Sequence, residues 1–177
     1  ALDLSAATDI VIGKNDNVIQ ATTLKIAPGA SALTIISNIK GVDATSNDNN
    51  NIAIESSVTN VASQLVTISG AITNGGNAKG AMDTIKVGSA TAAGNAKFTG
   101  AVNGLALTVF GGNHADEDGT AEFNADLNTT SILLQDATGQ SKIIFSGASS
   151  EDITGTIDGG ADNEGTMQIT SDGLTFD

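Results

Sequence analysis

The sequence predicts an all-β chain, read as a β-solenoid of stacked short strands, and three observations carry that expectation. Apolar and polar residues alternate with a period of two in runs of a few residues, the pattern of a strand with one buried face. The runs are bounded by Gly, Asn, Asp or Ser, with 21 glycines but one proline in 177 residues. Helical periodicity with caps is found nowhere along the chain.

In chain order, residues 9–12, 23–26 and 32–36 open the series, each alternating Ile, Val or Leu with Asp, Thr or Lys. Residues 51–54 and 64–68 repeat the pattern. Residues 83–87 follow a Gly- and Asn-rich stretch at 74–81, and residues 105–110 form a longer alternation ending in Phe110. Residues 121–123, 131–134 and 142–145 are short and mostly apolar, residues 153–157 carry Ile at both ends around Gly155, and residues 167–169 follow. Residues 90–95, rich in Ala but broken by Gly94 and Asn95, read as loop, and so does the polar run from Asn47 to Asn51.

A weak internal repeat accompanies the strands. Residues 115–120 and 161–166 share the form A-D-x-(D/E)-G-T, and polar stretches at 42–51 and 74–81 occupy comparable places. Strand, polar loop and strand thus recur at intervals of about 33 to 47 residues, as expected of modules that bury a face only by stacking. A β-solenoid satisfies this pattern, and so does a β-sandwich or jelly-roll subunit joined by strand donation. Low aromatic content favours the solenoid, whose narrow interior takes small aliphatics; uneven loop length favours the sandwich. Residues 1–177 are read as one β-rich domain. A start at Ala1 and an end inside a strand-like pattern at 173–177 suggest a processed form or a segment of a longer surface protein.

Composition narrows the function. Aromatics are 3%, arginine is absent, and seven lysines face twenty Asp and Glu, for a net charge of −13. Nucleic acid is excluded as a partner, because phosphate binding needs clustered cations and usually stacking rings. Membrane insertion is not expected either, since no apolar run approaches the ~18–20 residues of a spanning helix. Zero cysteine removes disulfides, thiolate metal sites and thiol catalysis. The dominance of Ala, Thr, Ser, Asn, Asp and Gly points to an extracellular or cell-surface location.

Residues 142–147, 152–157, 164–169 and 172–176 resemble repeats of large bacterial surface proteins, namely autotransporter passenger regions and the β-strand repeats of surface-layer proteins. That resemblance implies export, self-association or adhesion, and calcium held by acidic turns. The G-G-x-G-x-D calcium pattern is not met at 159–162.

Catalytic signals are thin. The lone His114 reads as an exposed loop residue, no Ser-His-Asp set is recognisable, and Glu151 and Asp152 are adjacent, which in a strand sends them to opposite faces. Gly13-Lys14 and Gly75-Gly76 lack the spacing of a phosphate cradle. The chain is therefore not expected to be an enzyme. Two acidic turns are the best candidates for a site. In the first, His114, Asp116 and Asp118 put oxygen or nitrogen at alternate positions before Gly119, half of a calcium loop that lacks its closing Glu. The second gathers Asp158, Asp162 and Glu164 with Asn163. Calcium wants six to eight oxygens, so Asp116, Asp118, Asp158, Asp162 and Glu164 would need carbonyls, water or a second subunit to complete a shell. The alternative is a pair of solvated turns that keep an edge soluble.

The expectation is an extracellular structural protein that assembles with copies of itself into a surface layer, sheath or filament, aided by calcium. The alternatives are an adhesin module that binds cell-surface glycan and, less favoured, a polysaccharide-acting β-helix.

Overall fold

The computed structural model describes residues 9–13, 21–29, 31–42, 49–55, 64–73, 82–147, 152–161 and 164–177. Among them there is no helix: the chain winds into a β-solenoid of about five turns. The first rung is β1 (Asp9–Gly13), β2 (Ala21–Ile26) and β3 (Leu33–Ile35), and the second is β4 (Asn38–Val42), β5 (Asn49–Ile54) and β6 (Val66–Ile68). Then come β7 (Ile72–Thr73), β8 (Met82–Val87) and β9 (Asn95–Phe98), followed by β10 (Val102–Asn103), β11 (Ala106–Phe110) and β12 (Gly119–Phe123). Next are β13 (Leu127–Gln135) with β14 (Ser141–Phe145), and β15 (Asp152–Gly159) with β16 (Thr166–Ile169), before β17 (Thr175–Phe176) opens another rung.

Each strand pairs in parallel with the strand one turn later, which gives three faces. The first runs β1-β4-β7-β10-β13 and the second β2-β5-β8-β11-β13; the third, a separate six-stranded sheet, runs β3-β6-β9-β12-β14-β16. The long β13 and β15 each serve both of the first two faces, joining them into one sheet of eleven strands. All these ladders being parallel, the sandwich is not the fold adopted.

Parallel register stacks like on like. One second-face column reads Leu24, Ile52, Ile85, Leu107, Ile132 and Ile157, and one third-face column Leu33, Val66, Ala96, Ala121, Ile143 and Met167. The inner members of both are buried, and each buried Leu, Ile or Val side chain contributes about 1.5–3 kcal/mol. The neighbouring third-face column reads Ile35, Ile68, Phe98, Phe123, Phe145 and Ile169. Phe98 and Phe123 stack with centroids 4.8 Å apart at 9°, Phe145 follows at 6.0 Å, and Phe176 meets Phe145 edge-on at 5.8 Å. Phe98, Phe123 and Phe145 thus form one file along the third face, met edge-on by Phe176 from the first-face sheet, a use of aromatics that the expected aliphatic interior leaves out.

Every run expected from alternation overlaps a strand, although 32–36, 64–68 and 105–110 overhang β3, β6 and β11, and β4, β7, β9 and β10 are additional. β9 begins at Asn95, inside the stretch read as loop, and Asn49–Asn51 belong to β5, with Asn50 fully buried. The repeat is also shorter than expected. Leu107 lies 22 residues after its partner Ile85, and Ile85 lies 33 after Ile52. The longer expected intervals arise because 115–120 and 161–166 lie two rungs apart, the turn after β13 between them lacking their motif, and because 42–51 and 74–81 lie on a different corner, between β4 and β5 and between β7 and β8.

Candidate functional site

Both acidic turns follow second-face strands, β11 and β15, so the winding places them on one corner of the solenoid, two rungs apart, with the turn after β13 between them. The lower turn is closed by Gly112, whose N–H donates to the Glu117 carbonyl at 2.8 Å, and by the Glu117 N–H on the His114 carbonyl at 3.0 Å. Asp118 Oδ1 accepts the N–H of Gln140 from the next rung at 2.9 Å. There Asp136 Oδ1 accepts both the N–H and the hydroxyl of Ser141 at 2.6 Å, and its Oδ2 accepts the Gly165 N–H, one rung further, at 3.2 Å. Burial raises the Asp136 carboxyl pKa, but the Ser141 hydroxyl, the Ser141 N–H and the Gly165 N–H together outweigh it and hold the group below its ordinary value. Gly165 sits at φ +78°, and a Cβ there would lie 2.4 Å from the Leu134 Cβ. Glycine is what lets that amide reach Asp136.

The candidate ligands do not converge. Asp116, Asp118 and His114 are exposed, Asp158 is exposed on β15, and Glu164 is half-buried with its N–H on the Ala161 carbonyl at 3.2 Å. Asp162 lies outside the described residues. Among the described residues, no three His, Asp or Glu side chains come together as a metal centre. The sequence reading passed over Glu117 and Asp136. Glu117 is only 6% exposed, and its Oε2 is buried with no hydrogen-bond partner. Residues 113–116 and 118 are exposed and Glu117 between them turns inward, a placement that no spacing within the turn announces.

A second feature is the upper end. Among the described residues, β16 has a strand beside it on one side, β14, and β17 pairs with β15 alone. Met167 is 48% exposed, Ile169 47% and Phe176 46%, whereas their column neighbours Ile143 and Phe145 are at 0% and Ile153 at 1%. The same columns that are sealed one turn below are open here. At the lower end β1, β2 and β3 are likewise edge strands, and Leu33 is 39% exposed.

Comparison with protein-family models, with curated proteins and with solved structures returns no match for this chain. Its function rests on geometry and charge.

Charge is divided unevenly along the solenoid. Residues 1–100 carry seven acids and six lysines, whereas residues 101–177 carry thirteen acids and the single Lys142. The acidic corner and the open upper end both belong to the second part. A third feature is an open groove of about 710 Å³ where the first face meets the second, lined by Asn103, Leu105, Asn128, Thr130 and Thr156 among others. Asn128 Nδ2 donates to Asn103 Oδ1 at 3.3 Å across rungs, and β15 bends there at Gly155, φ +134°. Amides and hydroxyls of this kind, with Asp177 at the margin, offer hydrogen bonds to a hydroxyl-rich ligand.

Proposed function

We propose that this chain is an extracellular structural protein that assembles with copies of itself into a surface layer, sheath or filament. The open upper rung carries the reading. A sheet edge with free backbone donors and acceptors, backed by half-exposed Met167, Ile169 and Phe176, is a template for a further strand. Calcium belongs to the proposal as a bridge between copies, because the dense negative charge of the acidic corner repels a like surface and a divalent ion relieves that repulsion. Asp116, Asp118, Asp158, Asp162 and Glu164 are the side chains that would supply its oxygens. The composition, dominated by Ala, Thr, Ser, Asn, Asp and Gly, supports an exterior location.

Light scattering and electron microscopy over a range of protein concentration, with and without EGTA, test this reading. The expected result is particles that grow with concentration and shrink on chelation. A single-chain particle at every concentration ends the self-assembly reading, and assemblies indifferent to EGTA remove calcium from it. The polar groove supports a second reading, an adhesin module for cell-surface glycan, which glycan binding by single-chain particles would favour.

A further inference from the structure

Resting on the self-assembly reading, we propose that two copies pack side by side through the outer surface of the second face, related by a two-fold axis along the strand direction. Parallel register builds that surface from two outward columns. One reads Lys25, Ala53, Lys86, Thr108, Leu133 and Asp158, and the other is made of Thr, Asn, Ala and Ser from Thr23 to Thr156. Asp158 is their single acid, on a chain of net charge −13, so a second copy meets little repulsion there. Scarcity of charge is also what marks the centre of protein interfaces. Ala106, Thr108 and Ser131 are short and keep the surface flat, and half-buried Leu133 and Phe110 beside them add apolar area. Sheets packed face to face in this way lie about 10 Å apart with their strands aligned.

Two charges select the rotation. Lys86 and Asp158 are exposed, and among the described residues neither forms an ion pair, whereas Lys25, Lys40 and Lys97 each do. They stand in one column three rungs apart, on β8 and β15 with β11 and β13 between them. A flat face meets its own copy isologously in two ways. Rotation about the solenoid axis sets like rungs opposite, so Lys86 approaches the partner's Lys86 and Asp158 the partner's Asp158. Rotation about the strand direction inverts the rungs. With the axis midway between β11 and β13, each Lys86 then faces the partner's Asp158, and each Thr108 faces the partner's Leu133. Exposed pairs of this kind fix register and orientation more than they add affinity. The acidic corner borders this face, so the same rotation sets the turn carrying Asp116 and Asp118 beside the partner's turn after β13. The calcium proposed above to relieve repulsion between copies would act at that border. Being a side of the winding, the contact uses no edge strand.

Charge reversal tests the pairing. Lys86→Glu and Asp158→Lys are each checked for an unchanged circular dichroism spectrum. They are then followed by sedimentation velocity in calcium, alone and as an equimolar mixture, up to high protein concentration because four facing rungs make a small interface. Each variant alone sets two like-charged pairs across the axis, and its association is expected to need about tenfold more protein than the wild type. In the mixture the altered sites face each other and so do the native ones, and association is expected to return to the wild-type range. Asp158→Lys lowers the net negative charge, so tighter association of that variant alone ascribes assembly to overall charge and overturns the proposal. Wild type that associates better with Lys86→Glu than with itself places like rungs opposite and overturns the orientation. Single variants that assemble as the wild type does, or a mixture that recovers nothing, overturn the contact in favour of another surface and leave self-assembly standing. A wild type that stays single at every concentration strikes down the self-assembly reading and this inference with it.

Discussion

Three of the lysines in the first hundred residues tie neighbouring rungs through ion pairs: Lys40 to Asp9 at 2.9 Å, Lys25 to Glu55 at 2.6 Å and Lys97 to Glu122 at 2.8 Å. In the remaining residues, Glu122 apart, three carboxylates reach across rungs to backbone amides instead. Asp118 takes the N–H of Gln140, Asp136 that of Gly165, and Asp126 that of Asp152 at 3.2 Å. Asp83, which accepts the Asn50 N–H at 2.7 Å, shows the second device already present in the lower rungs. The contrast shows that a carboxylate between rungs needs a hydrogen-bond donor rather than a cation. Turn amides supply such donors, and charge-assisted bonds to them are stronger than neutral ones. Thirteen acids and one lysine can therefore share a tightly wound segment.

That difference is open to measurement. The largest effect belongs to Asp136→Ala, which leaves two turn N–H groups and the Ser141 hydroxyl without their acceptor and is expected to lower stability by about 2–3 kcal/mol in urea unfolding. Acid should have the next largest effect. Asp136 and Glu122 both have carboxyl pKa values held below the ordinary range; at Glu122 burial raises it, while Lys97 and Ser146 more than compensate. A carboxyl whose pKa is lower in the folded chain stabilises fully above the unfolded value, and that stability drains away as pH falls through the folded one. Unfolding midpoints should therefore fall below the ordinary carboxylate range, and Asp136→Asn should flatten the decline; an unchanged slope would remove Asp136 from the explanation. The smallest effect is expected from Lys97→Met, about 0–1 kcal/mol, since a partly exposed ion pair adds little. Should Lys97→Met cost more than Asp136→Ala, the contrast between the two regions is wrong.

Alternation revealed the second and third faces because their strands are mostly long enough to show a period: β5, β8, β11 and β14 place two or three apolar residues on the inner side. Beyond β1, the first face was illegible for the opposite reason. β7 and β10 bury a single residue each, Ile72 and Val102, and one residue has no period. β9 hid because its first residue, Asn95, reads as the end of an Ala-rich loop, which leaves only Ala96 and Phe98 as inward apolar residues. The acidic turns were visible as clusters, but which side chain turns inward was not, so Glu117 was passed over as one acid among three. Asp136 stands alone in a polar turn, and only winding brings Gly165 to it. The lopsided distribution of lysine, by contrast, lay open to counting.

Because each rung touches little beyond the rungs above and below it, the molecule resembles thread on a spool more than a knotted globule. Tension on its two ends would pay it out in discrete packets, one turn of 22 to 33 residues at a time. Each packet corresponds to roughly 75–110 Å of slack at full extension. Length would be yielded stepwise from the rims while the Phe98–Phe123–Phe145 file in the middle still held.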